Sequence, residues 1–289
     1  WNENAKGLLS PREIQIEQEN LEISKEEGFT DSQKYWDEDI SPLNTKHYLY
    51  LSGTPFRALN SGEFIEEQIY NWTYIDEQKA KENWEGINNP YLSMPKMIMM
   101  AYDMPECLNL HQDDYGFSLN EFFKASGEDI NAKFKYEDSV QKWLDLIRGS
   151  NCRDLYSDLS NKKSLPVLPF SDNRLVNILN HTFWFLPSIS SCNAMKNLMM
   201  KRANYFYHDY EIIVCAGNAV GTGVEAIKPV RIKMSNPLSS KTITLSCGKL
   251  NTGVTIKPWS GVFFLRDTES PETYFQTAFR VQSPWQIPD

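Results

Sequence analysis

Thr242-Ile243-Thr244-Leu245-Ser246, then Cys247-Gly248-Lys249-Leu250-Asn251-Thr252-Gly253-Val254-Thr255, then Val262-Phe263-Phe264-Leu265, then Ser270 to Ser283: this run late in a 289-residue chain decides the fold. The first five residues are β-branched-rich and few, which suits a strand. Val262 to Leu265 is unbroken apolar, as in a strand covered on both faces of a parallel sheet. Gly248 and Gly253 between them permit backbone conformations, or a close ligand approach, that a β-carbon would obstruct. A helix then has a legible start: Ser270 caps it, Pro271 suits its first position, and Glu272 meets the positive end of the dipole. Pro284 stops it. Thr273, Gln276, Arg280 and Ser283 fall on one face, a narrow polar stripe in a helix otherwise built of Tyr274, Phe275, Ala278, Phe279 and Val281. Periodicity alone favours a solvated face.

Upstream the same rhythm holds from Asp172 onward. Residues 182–187 and 210–215 read as strands. Residues 173–180 and 188–202 read as helices, the second with Cys192, Met195, Leu198 and Met199 inward. Residues 229–234 fit neither period. Residues 217–223 are glycine-rich but lack the Lys-Ser/Thr ending of a phosphate loop. Strands alternating with helices predict a parallel sheet with helices on both faces. Residues 104–170 carry no assignable motif. Within them 118–124, with a capping pattern from Ser118 to Glu121, and 137–148, with Val140, Trp143, Leu144 and Ile147 on one face, read as helices. The stretch is therefore expected to be a mainly helical insertion. Phe134 and Tyr136 in it suit base stacking or packing, with packing favoured.

Nearer the start, 96–102 reads as a strand, 76–84 and a stripe after Ser61 as helices, and 47–51 as a short buried strand ended by Ser52-Gly53-Thr54-Pro55. Small hydroxyl residues at a parallel strand's carboxyl end sit where open α/β sheets place ligands, although Gly and Pro explain a plain turn equally well. Residues 1–45 are acidic, polar and weakly helical.

Apolar residues at 41% and aromatics at 13% describe a globular chain, long enough for two compact domains. There is no run of membrane-spanning length and no secretory signal, so a cytoplasmic protein away from membranes is expected. The five cysteines lack a C-x-x-C pair and suit reduced thiols. The four histidines lack metal-site spacing, and no metal site is expected. The net charge of −9 is uneven. Residues 1–165 hold 17 Lys+Arg against 30 Asp+Glu, whereas 166–289 hold 12 against 8. The mildly basic half leaves a nucleic-acid track open.

Leu250-Asn251-Thr252-Gly253-Val254-Thr255 and the run from Ser270 to Ser283 resemble motifs V and VI of superfamily-2 helicases. Tyr50-Leu51-Ser52-Gly53-Thr54-Pro55-Phe56-Arg57-Ala58-Leu59 resembles motif III. The nearest flavour is the helicase-like ATPase of restriction enzymes, and the likeness covers about 46–59 and 176–285. It implies a RecA-like sheet and three parts. Residues 1–60 would be the tail of a first RecA-like lobe, 61–95 a helical connector, and 96–289 a second lobe with motifs IV, V and VI and the insertion. Trp1-Asn2-Glu3-Asn4-Ala5-Lys6 resembles the segment just after motif II, which implies a piece of a longer parent.

The resemblance implies ATP and magnesium as cofactors of that parent, neither expected on this chain alone, which has no G-x-x-x-x-G-K-[ST]. It implies Arg280 as an arginine finger, since a planar, permanently charged donor fork suits a phosphate, with Gln276 one turn earlier orienting it. Ser52, Gly53, Thr54 and Pro55 would couple nucleotide state to lobe closure. Gly253 and Thr255 would lie near nucleotide. Thr252, Lys249, Ser188 and Ser190 would reach the DNA backbone, the serines through a helix N-terminus. The family often carries a second Arg three residues after the first, where this chain has Ser283, and often Asp where it has Thr255. The implied partners are double-stranded DNA, the N-terminal RecA-like lobe, and nuclease or methyltransferase domains or subunits of a restriction system. The alternative is a non-catalytic module that binds nucleic acid or a partner through a degenerate helicase lobe.

Overall fold

The computed structural model describes residues 49, 51–53, 66–102, 112–113, 116–149, 168–217, 224–251 and 254–286. The first regular helix, α1 (Tyr74–Glu82), starts two residues before the predicted 76–84 because Thr73 caps it. The Thr73 hydroxyl accepts from Asp76 N, and the Asp76 carboxylate accepts from Thr73 N. No residue of α1 is buried. Side chains tie it to the chain that follows: Lys81 Nζ donates to the Met94 carbonyl and Gln78 Nε2 to that of Pro95. A short 3-10 turn, Glu66–Gln68, is the regular structure formed in the described part of the stripe expected after Ser61.

One expected strand is not formed. Residues 96–102 pair with nothing in any sheet, and Met97 N donates instead to the Tyr74 hydroxyl at 2.8 Å. A strand needs a neighbour, and apolar alternation does not supply one. Of the strand expected at 47–51, only Leu49 and Leu51 are described, and both are largely exposed.

The next described residues hold two small antiparallel hairpins, β1 (Gln112–Asp113) with β2 (Gly116–Phe117) and β3 (Ala125–Ser126) with β4 (Lys133–Phe134), and two helices, α2 (Leu119–Phe122) and α3 (Glu137–Ile147). The expected mainly helical insertion is thus mixed helix and hairpin. Ser118 caps α2 by accepting from Glu121 N. The β3–β4 turn requires glycine: Gly127 has φ +89°, and a β-carbon there would lie 2.6 Å from the Asn131 carbonyl oxygen.

After α4 (Asn173–Val176), capped by Asp172, come β5 (His181–Phe185), α5 (Ile189–Met199), β6 (Glu211–Val214), α6 (Val224–Met234), β7 (Thr242–Ser246), β8 (Gly261–Phe264) and α7 (Pro271–Ala278). The four strands form a wholly parallel sheet in the order β6-β7-β5-β8. Successive side chains point to opposite faces of the sheet and feed two cores. On one face Trp184, Ile243, Leu245 and Phe263 pack with α5, α3 and Phe170. Trp143 meets Trp184 edge-on at 5.8 Å, and Phe170 stacks on Phe263 at 5.6 Å. On the other face Phe183, Phe185 and Ile213 pack with α6 and with Val254, Ile256 and Trp259. The α2–α3 stretch is therefore half of a core, not an appendage. Phe134 is buried in it, and Tyr136 donates its hydroxyl to Glu121.

Two details depart from expectation. Residues 229–234, which fit neither period, belong to α6 despite Pro229 within it. β8 lies at the sheet edge and is only half-buried, so the apolar run 262–265 is not fully covered on both faces. Among the described residues no helix is long and apolar enough to cross a membrane.

Candidate functional site

In an open parallel sheet the crevice for ligands lies beyond the carboxyl ends of the strands, where adjacent connections leave to opposite faces. Here α5 leaves β5 on the face packed by α3, and the chain after β7 leaves on the α6 face. The crevice therefore belongs between β5 and β7. Its rim is made of Ser188 after β5, Gly217 after β6, Lys249 after β7, and Arg266 and Asp267 after β8.

This rim is largely closed by its own side chains. Lys249 is 2% exposed and donates its ammonium to the Gly217 carbonyl. The expected reach of Lys249 to a DNA backbone is therefore corrected: the side chain points inward and joins two loops. Arg266 is also buried, donating to the Cys247 carbonyl at 2.7 Å with its guanidinium over the Phe185 ring at 4.8 Å. Asp267 accepts from Ser118 Oγ at 2.8 Å, and its N–H donates to Asn120 Oδ1 at 3.0 Å, which latches the α2 segment to the rim. Cys192, Cys215 and Cys247 are buried free thiols. Burial, with Cys192 nearby, pushes the Cys215 thiol up to about 12, partly opposed by the Lys249 charge.

Ser188 is the N-cap of α5, accepting from Ser191 N at 3.1 Å, and Ser190 Oγ donates to the Gly127 carbonyl at 2.9 Å. Both hydroxyls are used within the fold, because the β3–β4 turn sits over the start of α5. Ser52 and Gly53 are exposed and outside any strand. Thr54, Pro55, Thr252 and Gly253 lie outside the described residues, and Thr255 is exposed.

The structure does bring together the two segments that resemble motifs V and VI. α7 begins as expected, with Ser270 accepting from Thr273 N at 3.2 Å and Pro271 first in the helix. It tightens after Ala278 into a 3-10 turn, Phe279–Gln282, so the straight polar stripe expected over 273–283 is broken before Arg280. Thr277 and Ala278 are buried, and Val281 packs on the α6-side core. On that tighter turn Arg280 is half-buried. Its Nε donates to the Gln276 main-chain carbonyl at 2.9 Å and its Nη1 to the Val254 carbonyl. Among the described residues no carboxylate pairs with it, and burial draws its pKa down from the usual guanidinium value. A half-buried cation held only by neutral carbonyls retains a demand for an anion. Among the described residues no group of three or more His, Cys, Asp or Glu side chains could hold a metal ion.

Arg266 and Asp267 were not singled out from the sequence. Their signal was their place, directly after a strand's carboxyl end.

Fold and site together define an α/β module with a parallel sheet, a rim closed by buried cations, and a half-buried arginine, Arg280, without a carboxylate partner among the described residues. No family model and no solved structure matches the chain. It is similar to a Mycoplasma pneumoniae protein provisionally named as the C-terminus of a type II restriction enzyme and methyltransferase, with 27% identity over 263 residues. The match takes in 83% of this chain and 35% of that protein, so the chain spans about a third of the relative's length.

Proposed function

We propose that this chain supplies the second RecA-like lobe, with the tail of the first, of an ATP-dependent DNA helicase or translocase in a restriction system. One observation carries the reading: Arg280 is half-buried, fastened to the main chain at Val254, and without a carboxylate partner among the described residues. A guanidinium fixed by neutral acceptors keeps its charge for a phosphate presented from another lobe. ATP and magnesium would be held by that other lobe, where the metal-bound triphosphate supplies the leaving group. This chain's part is to aim a positive charge at the phosphoryl oxygens, with Gln276 holding the guanidinium from one turn earlier. The relative's name supports a restriction context; on this reading the partners would be nuclease or methyltransferase units, and the track would be double-stranded DNA.

In a protein joining this chain to its ATP-binding lobe, Arg280→Ala should lower DNA-stimulated ATP hydrolysis about 10³-fold or more while ATP binding is kept. Arg280→Lys should recover little of the loss, because a point charge lacks the planar fork. Turnover equal to wild type in Arg280→Ala would remove the motor reading.

A second reading is favoured by the inward commitment of Lys249, Ser188 and Ser190 and by Ser283 in place of a second arginine. It makes this a non-catalytic lobe that binds nucleic acid or a protein partner. A joined protein that binds DNA with undiminished affinity but shows no DNA-stimulated ATPase would select it.

A further inference from the structure

Residues 66–102 hold ten of the nineteen large exposed hydrophobic side chains found among the described residues, and none of residues 67–102 is buried. Trp72 stacks on Tyr91 at 6.0 Å and Trp84 meets Tyr91 edge-on at 6.1 Å, so the aromatics form one platform. In the same arm Leu92, Ile98 and Met99 are 65%, 71% and 59% exposed. Large side chains at this exposure add up to on the order of 1,000 Å², above the few hundred Å² usual for a monomer and near one side of a stable interface.

The charge of the arm narrows the occupant. Residues 66–102 carry six Asp+Glu against three Lys+Arg. An acidic apolar platform repels a phosphate backbone and fits an apolar protein face with a basic rim. The chain itself carries such a face. The outer side of α6 exposes Lys228 and Arg231, with Lys233 paired to Glu211 at 2.9 Å and a single acid, Glu225, in its first turn, beside Ile232, which is 73% exposed, with Leu238 beyond at 58%. In its own molecule the arm does not cover this face: Ile232 is exposed, and so are Trp72, Trp84 and Ile98.

We propose that the 66–102 arm docks on the outer face of α6 in a second copy of this chain, giving a dimer with two reciprocal contacts. A two-fold pairing of this kind repeats the same complementary contact twice and leaves neither patch open.

Sedimentation equilibrium of the full chain from about 1 to 100 µM tests it. The wild type should be a dimer. Trp72→Ser with Trp84→Ser in the arm, or Arg231→Glu in α6, should each weaken association by about tenfold or more, with an unchanged far-ultraviolet circular dichroism spectrum at the lowest concentration, because neither site is buried within its own chain. Mixing the two variants should restore a heterodimer, since one of its two contacts is intact. The proposal is overturned by a monomer at every concentration, by a dimer that survives both variants, or by a mixture that stays monomeric. It is equally overturned by a monomer whose arm tryptophans are shielded from acrylamide, which would assign the platform to its own molecule. DNA binding that disappears with the arm tryptophans would also overturn it.

Discussion

The arm at 66–102 and the sheet domain at 168–286 are made of similar residue types and are held together by opposite means. In the sheet domain the helices are fixed by burial. α5 buries Cys192, Met195, Leu198 and Met199, and its cap at Ser188 only sets where it starts. In the arm α1 buries nothing, and its start is set by the Thr73–Asp76 pair and its side by Lys81 and Gln78 reaching main-chain carbonyls. Short helices are marginal in water without packing. The arm therefore has a shape set by local hydrogen bonds and large apolar side chains left exposed, whereas the sheet domain has its apolar surface spent inward.

That contrast predicts unequal costs for equal changes. Trp184→Ala removes the ring that touches Trp143, Phe170 and Phe263 from a fully buried position. It should cost about 3–5 kcal/mol in a urea titration, while hydrogen exchange of α1 stays unchanged. Equal loss of protection in both regions would show that arm and sheet unfold as one unit.

A smaller effect is expected from His181, buried at the start of β5. Its Nδ1 lies 2.9 Å from Thr242 Oγ1 and its Nε2 2.9 Å from the Pro237 carbonyl. The carbonyl can only accept, so the neutral ring carries its proton on Nε2 and takes the Thr242 hydroxyl proton at Nδ1. Burial draws its pKa below that of the unfolded chain. The unfolded state thus binds more protons, so the stability from the neutral ring is complete above the unfolded pKa of about 6.5 and is lost as pH falls below it. The urea midpoint of the sheet domain should drop between pH 7.5 and 5.5, and His181→Asn should flatten that drop. An unaltered slope in the variant would clear His181 of the effect.

The smallest effect on the whole belongs to Thr73→Ala. Losing the cap should open α1 to hydrogen exchange and leave the urea midpoint of the sheet domain where it was. A shifted midpoint would break the division between the two regions.

What could be read in advance follows the same division. β5, β7, β8, α3 and α5 announced themselves because burial writes a pattern: runs such as Phe183-Trp184-Phe185, or Val140, Trp143, Leu144 and Ile147 on one face. α6 was hidden by Pro229, which argues locally against the helix that packing against Phe183 and Ile213 imposes. Met97 to Tyr102 has a strand's composition, and composition cannot say whether a neighbour is present. For the site, the resemblance to motifs V and VI implied that the 250–255 and 270–283 segments act together, and the Arg280–Val254 bond joins them. The inward turn of Lys249 was not legible, because a lysine after a strand looks the same whether its acceptor is a phosphate or the Gly217 carbonyl.

The strand order has a further consequence during synthesis. β5 is flanked on both sides by strands that come later in the chain, β7 and β8. The ribosome must add about 60 residues after Phe185 before β7 is complete, on the order of 3–12 s at ordinary elongation rates. During that interval β5 has a strand partner at neither edge. On its Trp184 face the packing partners made before it are α3 and Phe170, so the segment ahead of the sheet acts as a built-in guard for that face of the nascent chain.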